Sequence, residues 1–396
     1  KPPHEYRLQV HARPGDITPT GQVLSKENGS TACLKLALQR ADFANKLARC
    51  SRGTLPPGHR KLYGVGLSFF AHGAAFTGDG EAKFKAKGRV DLARLENGRP
   101  GVNIRVSSTE MGQGVHTVFT QIAADALSLD PVHIRFPMAD TALVPNSGPT
   151  VASRTTMVVG NVVHRACLDL KGKIEEFAAR KYFQGARAEL RASQLVARGR
   201  RPVPFAKVAQ AMLAELAGAS GFFQFALPAD IRWDQATFKG DSYPGYSWSA
   251  NIAEIEIDPL TCEIEVKRVT AVLDIGRVIN PLLASGQVEG GLTQALGYAL
   301  LEKIGTGRNG LYDAARLQTY IIPTSRDIPE YDVKFVEYPY SFAPPGGKGL
   351  GELPMDGLAP AIANAVEAAT GQRLRQIPIT PEALYEALYA GKGGPP

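Results

Sequence analysis

Cysteine is scarce in this chain: four among 396 residues, at Cys33, Cys50, Cys167 and Cys262. No two stand as a C-x-x-C pair, so neither a structural zinc site nor an iron–sulfur cluster is suggested. They read as reduced, mostly buried thiols, which fits a cytoplasmic setting. Long apolar runs are also missing, and no stretch could span a bilayer as a helix. The opening Lys1-Pro-Pro-His-Glu-Tyr6 has no apolar core of a signal peptide. It has no initiator Met either, so the expectation is a processed, trimmed or partial polypeptide. No segment fits G-x-x-x-x-G-K-[ST], and there is no Ser elbow or thiol/His pair at a family spacing. The seven histidines include no i, i+4 pair. His116 and His164 fall in helical patterns and read as structural.

The remaining composition is that of an ordinary globular protein, 44% hydrophobic and 21% charged. A net charge of +7 is mild for this length. The one basic cluster, Arg187, Arg191, Arg198, Arg200 and Arg201, has no interleaved aromatics on which bases could stack, so it reads as a solvated face. Neither a nucleic acid nor a membrane is expected as partner. Asn28-Gly29-Ser30 reads as a turn.

The apolar periodicity predicts an α+β fold. A helix is expected from about Thr31 to Cys50, with Leu36, Phe43 and Leu47 on one face. Strands are expected at Gly64–Phe70, Ala82–Lys87 and Val102–Val106, with an Asn97-Gly98 hairpin signal between the last two. Helices follow at about 114–127, 155–183 and 205–216, and 218–250 reads as a loop. Asn251–Ile257 and Glu263–Val269 alternate around Asp258-Pro-Leu-Thr261, which predicts a hairpin. Further helices are expected at 288–303, 359–370 and 381–389. The expected organisation is an N-terminal segment (1–60), a larger unit of two α+β subdomains (61–390) and a disordered tail (391–396).

Four Gly- or Gln-bearing turns stand near helix starts. They are Glu110-Met-Gly-Gln-Gly-Val-His-Thr117, Pro145-Asn-Ser-Gly-Pro-Thr-Val-Ala-Ser-Arg-Thr-Thr156, Gly286-Gln-Val-Glu-Gly-Gly291 and Gly346-Gly-Lys-Gly-Leu-Gly-Glu352. Glycine lets the backbone approach a ligand, and a helix start offers free N–H groups to an anion. Singly, such turns are usually caps. Together they point to a large polyanionic cofactor. Glu352 is a carboxylate between a bare backbone and an apolar helix, a placement that costs free energy unless it is used. As a purely structural group it would be a helix N-terminal carboxylate favoured by the dipole.

In this order and at these separations the motifs resemble the molybdenum hydroxylases, the family of xanthine dehydrogenase and aldehyde oxidase. The resemblance runs from about Gly15 to Leu388 and is to the second half of the molybdopterin-binding subunit. It implies the fold of the C-terminal molybdenum-binding domain, with mixed sheets packed with helices. It also implies a molybdopterin, in its cytosine dinucleotide form, whose dithiolene sulfurs hold the metal. Glu352 matches the family's general base. Met111, Gly112, Gln113, Gly114, Val151, Ala152, Ser153, Arg154, Thr155, Thr156, Gln287 and Gly351 match its cofactor cradle, with Gln287 and Ala152 nearest the metal's own ligands. Phe69 matches a ring-contacting aromatic; Phe70 stands where purine oxidases carry Thr, which puts purine specificity in doubt. Both also read as a strand-core pair.

Segments typical of the family's first half are missing, as are the iron–sulfur and flavin modules. The implied assembly is therefore a hetero-oligomer with a first-half molybdopterin subunit, a [2Fe-2S] subunit and an FAD subunit. The implied reaction is oxidative hydroxylation of an N-heterocycle such as xanthine or nicotinate, with water as oxygen source. The alternatives are an aldehyde oxidoreductase of the same family and a non-catalytic binding, assembly or supporting subunit.

Overall fold

The computed structural model describes residues 1–216 and 218–390. The expected disordered tail at 391–396 lies outside the described residues. In chain order the helices and strands open with α1 (Pro3–Val10), α2 (Ser30–Arg40), α3 (Phe43–Ala48), β1 (Leu62–Ala74), α4 (Gly80–Phe84), β2 (Lys87–Arg94), β3 (Pro100–Arg105), α5 (Val115–Leu127) and β4 (Ile134–Arg135). A π-helical turn at Thr155–Val159 leads into α6 (Gly160–Tyr182). Then come β5 (Glu189–Arg191), β6 (Gln194–Val196), β7 (Val203–Pro204), α7 (Phe205–Glu215), β8 (Ser220–Gln224), β9 (Trp233–Asp234), β10 (Lys239–Gly240), β11 (Gly245–Ile257) and β12 (Ile264–Asp274). The chain closes with α8 (Pro281–Leu300), β13 (Glu330–Val336), a 3-10 turn at Leu353–Met355, α9 (Leu358–Thr370) and α10 (Pro381–Tyr389).

Two four-stranded mixed sheets organise these elements, in the orders β1-β11-β12-β13 and β4-β3-β2-β8. The β12–β13 and β3–β4 pairs are parallel and the others antiparallel. The second sheet shares a core with α5, α6 and α7, built on Val90, Ile104, Phe119, Ile122, Leu170 and Phe205. On the first sheet, one face is covered by α8 and α9 through Ile255, Val269, Leu292, Ile362 and Val366. Its other face is covered by α2 and α3 through Leu34, Phe43, Leu67 and Ile252. The helix α9 sits almost against the backbone of β1. A Cβ built at Gly66 would lie 2.1 Å from the Ala361 carbonyl oxygen, and one at Gly64 would lie 2.1 Å from that of Ala365. The two glycines, two residues apart on one strand face, set this close crossing.

Several sequence expectations need correction. The helix expected over Thr31–Cys50 breaks in two, because Asp42 adopts a left-handed conformation (φ 48°) between α2 and α3. Ala82–Lys87 is not one strand: alternation with lysine also suits a short helix, and α4 ends at Phe84 before β2 begins at Lys87. The expected loop at 218–250 holds β8, the short β9 and β10, and the first residues of β11, whose polar and aromatic residues hid the strand pattern. The helix expected from Val288 begins at Pro281, where the Asn280 side chain accepts from the Leu283 N–H and proline takes the first helical position. The hairpin around Asp258–Thr261 and the Asn97-Gly98 hairpin form as expected.

Candidate active site

Loops and helix starts enclose a cavity of about 430 Å³, within the usual range for small-molecule sites. The start of the π-helical turn, the start of α8 and the 347–352 loop all open into it. Its lining is apolar at Val118, Ile275, Ile279, Leu283 and Leu350, and carries hydroxyls and amides from Thr150, Ser153, Thr155, Thr156, Asn280 and Gln287.

The loop before the π-helical turn is strained. Ala152 (φ 55°) and Ser153 (φ 48°) are consecutive non-glycine residues in the left-handed region. Each costs about 1–3 kcal/mol, a feature that clusters at functional sites. Arg154 holds this loop from behind. Its side chain is fully buried, with Nε and Nη2 donating to the Glu81 carboxylate at 2.7 and 2.8 Å. Its Nη1 donates to the carbonyls of Ser147 and Pro149. Arg154 was expected in the cofactor cradle, yet its guanidinium points away from the cavity and anchors the residues that line it.

The 346–352 loop is tied down just as firmly. Lys348 Nζ donates to Asp274 Oδ2 and to the Glu27 carbonyl, both at 2.7 Å, and the Lys348 and Asp274 side chains are buried. Asp274 also accepts from the Gly29 and Gly276 backbones. The Lys348 backbone faces the cavity while its charge is neutralised beneath it.

At the rim stands Glu352. Its Oε2 accepts from Ser153 Oγ at 2.8 Å, and its backbone N–H donates to the same oxygen at 3.0 Å. Next to it, Gln287 Nε2 donates to the Gly351 carbonyl at 3.0 Å. The Glu352 side chain is 56% exposed, so its charge costs less than its place between a bare backbone and an apolar helix implies. His72 and Asp356, which the sequence reading passed over, stand close: His72 Nε2 lies 3.5 Å from Glu352 Oε2, and Nδ1 lies 2.7 Å from Asp356 Oδ2. Asp356, the nearer partner, holds the His72 imidazolium above its usual range against the opposing effect of burial, with Glu352 adding to it.

Of the expected cradle, Met111, Gln113, Val151, Ala152, Ser153, Thr155, Thr156, Gln287 and Gly351 line the cavity. Gly112 and Gly114 do not line it. Their N–H groups donate to Glu110 Oε1, and His116 N–H donates to Oε2. The helix start expected to receive an external anion is thus already occupied by an internal one. Desolvation alone would raise the Glu110 pKa, but the three backbone bonds outweigh it and hold the carboxyl below its usual range. The Gln113 amide also folds back on its own turn, bonding Met111 N–H and the Thr109 carbonyl.

Phe69 and Phe70 do not reach the cavity. Neighbours on a strand face opposite ways, so the pair cannot address one ligand. Phe69 stacks on Trp248 with ring centroids 5.8 Å apart, under the N-terminal helices. Phe70 packs on the other face against Gly357. Arg277, Ile279 and Asn280 also line the cavity; they stand in Asp274-Ile-Gly-Arg-Val-Ile-Asn-Pro281, the segment that with Gly286–Gly291 matches the family's third pterin-binding stretch.

The donor set fits a molybdopterin. The ring faces of a pterin suit the apolar lining residues, and its phosphate suits the hydroxyls of Ser153, Thr155 and Thr156 at the start of the π-turn. Among the described residues no three of His, Cys, Asp and Glu come together to hold a bare ion.

Known proteins bear on this geometry. The molybdopterin cofactor-binding domain family model matches residues 36–329. A putative xanthine dehydrogenase molybdenum-binding subunit of Escherichia coli is 29% identical over 98% of this chain and 50% of its own length. The aldehyde oxidoreductase of Megalodesulfovibrio gigas is 29% identical over 98% of this chain and 38% of its own length. In fold, the chain is similar to quinoline 2-oxidoreductase from Pseudomonas putida 86, with a TM-score of 0.81, 24% identity and coverage of 99% of this chain and 50% of that one. The chain spans half or less of the length of these relatives. With the family model matched over most of its length, the chain belongs to the molybdenum hydroxylase family and carries its molybdopterin cofactor-binding domain.

Proposed function

We propose that this chain supplies the base-bearing half of a molybdenum hydroxylase active site, and that the enzyme hydroxylates an N-heterocycle such as xanthine or nicotinate. The observation that carries the reading is Glu352, held at the cavity rim by Ser153 beside the Gln287–Gly351 contact. When bound, the molybdenum cofactor would supply the redox centre and activate water as the oxygen source. The residues of this chain do the rest. Ser153, Thr155, Thr156 and the backbone of Ala152 and Gly351 would hold the cofactor, with Met111, Gln113 and Val151 closing one side. Gln287 would orient polar atoms near the metal. Glu352, bound to Ser153 through Oε2, would keep Oε1 available to accept a proton.

Because this chain spans only half of its relatives, the remaining cavity wall is assigned to a first-half molybdopterin subunit or segment. A [2Fe-2S] subunit and an FAD subunit would carry the electrons away. The cytosine dinucleotide form of the cofactor is favoured because its second phosphate suits a site rich in hydroxyls. An aldehyde substrate is the second reading, supported by similarity to the M. gigas enzyme. The test is purification of the natural complex, with assay of molybdenum, pterin nucleotide, iron and flavin, then turnover on purines, nicotinate and aldehydes. Molybdenum with activity on a heterocycle supports the reading. A metal-free complex without turnover overturns it.

A further inference from the structure

The cavity accounts for Glu352 but leaves unexplained the two groups that flank it on the outside. Glu352 and Asp356 stand at the two ends of the single 3-10 turn Leu353–Met355. This turn is fixed on the β1 side: Leu353 is fully buried, and Ser68 Oγ donates to the Gly357 carbonyl at 2.6 Å. His72, four residues further along β1, comes up between the two carboxylates. Its Nδ1 lies 2.7 Å from Asp356 Oδ2 and its Nε2 lies 3.5 Å from Glu352 Oε2. The His72 side chain is 20% exposed, against 56% for Glu352 and 41% for Asp356. It is the most enclosed of the three. The strand beside it, β11, faces it with the neutral Ser247. Asp356 and Glu352 are the charged groups that bear on it.

We infer that His72 is a positioning residue for Glu352: an imidazolium clamp, oriented by Asp356, that holds one carboxylate oxygen so that the other faces the cavity. Ser153 Oγ then donates to Oε2, and the charged His72 ring sets its Nε2 3.5 Å from the same oxygen. The clamp needs both ring nitrogens protonated. With Nδ1–H committed to Asp356, a neutral ring would leave an unprotonated Nε2 3.5 Å from the Glu352 oxygen, with no positive charge to hold it. The contact is therefore attractive below the His72 midpoint and lost above it. The consequence is a pH-dependent release of Glu352 on the alkaline side, which the Ser153 bond alone does not prevent. No proton is consumed in turnover by this device; it sets where the carboxylate stands.

This inference rests on Glu352 being the base, so its test carries one readout that does not depend on turnover. Exchange of the histidine Cε1 hydrogen in the assembled protein, followed by digestion and mass spectrometry of the peptide that carries His72, gives the midpoint of His72 itself. The wild-type midpoint is expected above the ordinary value of about 6.5. In Asp356→Asn it is expected to fall back toward that value, and in Glu352→Gln to fall by less. A wild-type midpoint at or below the ordinary value, or one unmoved by Asp356→Asn, would overturn the clamp whatever the activity. Turnover supplies the second arm. His72→Ala is expected to lower kcat about three- to tenfold below the midpoint with KM unchanged; the effect is modest because Glu352 is more than half exposed. His72→Gln, which keeps a donor but cannot titrate, is expected to recover most of that loss and to abolish the alkaline fall in kcat. Asp356→Asn should move that fall to lower pH. An unchanged alkaline limb in His72→Gln would overturn the clamp. Full activity of Glu352→Gln would instead overturn the functional reading, and the exchange midpoints would still report whether His72 and Glu352 interact.

Discussion

Removal of the Glu81 carboxylate should both destabilise the protein and loosen its cofactor cradle. Arg154 is wholly enclosed, and its guanidinium makes four bonds, two to Glu81 and one each to the Ser147 and Pro149 carbonyls. Its charge also lies 5.9 Å from the centre of the Phe84 ring. Deleting one member of a buried pair leaves the other charged, desolvated and unpaired, at a cost of about 3–5 kcal/mol. That is a large part of a typical total stability of about 5–15 kcal/mol. Glu81→Met and Arg154→Met should each show it as a lower urea midpoint. Replacing both partners, in Glu81→Met with Arg154→Met, removes the stranded charge and leaves chiefly the two carbonyls without a donor, about 1–3 kcal/mol each. The double variant should therefore be more stable than the sum of the single losses by about 2 kcal/mol or more. Because Arg154 directly follows the strained Ala152–Ser153 pair, pterin content of the assembled protein should fall with Glu81→Met even in the fraction that stays folded. Single losses under about 1 kcal/mol, or losses that simply add, would refute the reasoning.

Two further outcomes follow from packing. Gly66→Ala should lower stability by about 3 kcal/mol or more, because the new methyl meets the backbone of α9 at 2.1 and 2.3 Å and no side chain can rotate away; unfolding curves check this. The four thiols should resist labelling by a thiol reagent in the folded protein and react together on denaturation. All four are free and buried, and burial raises each thiol above its ordinary range; rapid labelling of Cys33 or Cys167 under native conditions would contradict the structure.

Much of the fold was legible because its signals are local. The Asp258–Thr261 turn, the Asn97-Gly98 hairpin and the apolar stripe of α5 each announce their element without help from distant residues. What the sequence hid was long-range. Gly64 and Gly66 read as ordinary strand residues until α9 is seen lying on them, almost three hundred positions later. The site shows the same division. Ser153, Thr155, Thr156, Gln287 and Gly351 stand in glycine- and hydroxyl-rich turns, a pattern visible in one dimension. Arg154 belongs to the same run, yet its partner Glu81 lies 73 positions upstream, so its turn away from the cavity could not be read. Phe69 and Phe70 lie next to each other on β1, and strand alternation by itself turns adjacent side chains to opposite faces. His72 and Asp356 carried no motif at all; they become visible once β1 and the turn after Glu352 are set side by side.

The central claim is that Glu352 is the proton acceptor of a site that holds the cofactor by other means, and Glu352→Gln in the assembled protein tests it most directly. The amide keeps the size of the side chain and can still bond Ser153, so molybdenum and pterin should be retained at wild-type levels. Turnover on the identified substrate should fall by about 10²–10⁴-fold, the usual worth of a positioned general base. Near-normal turnover with full metal content would contradict the account.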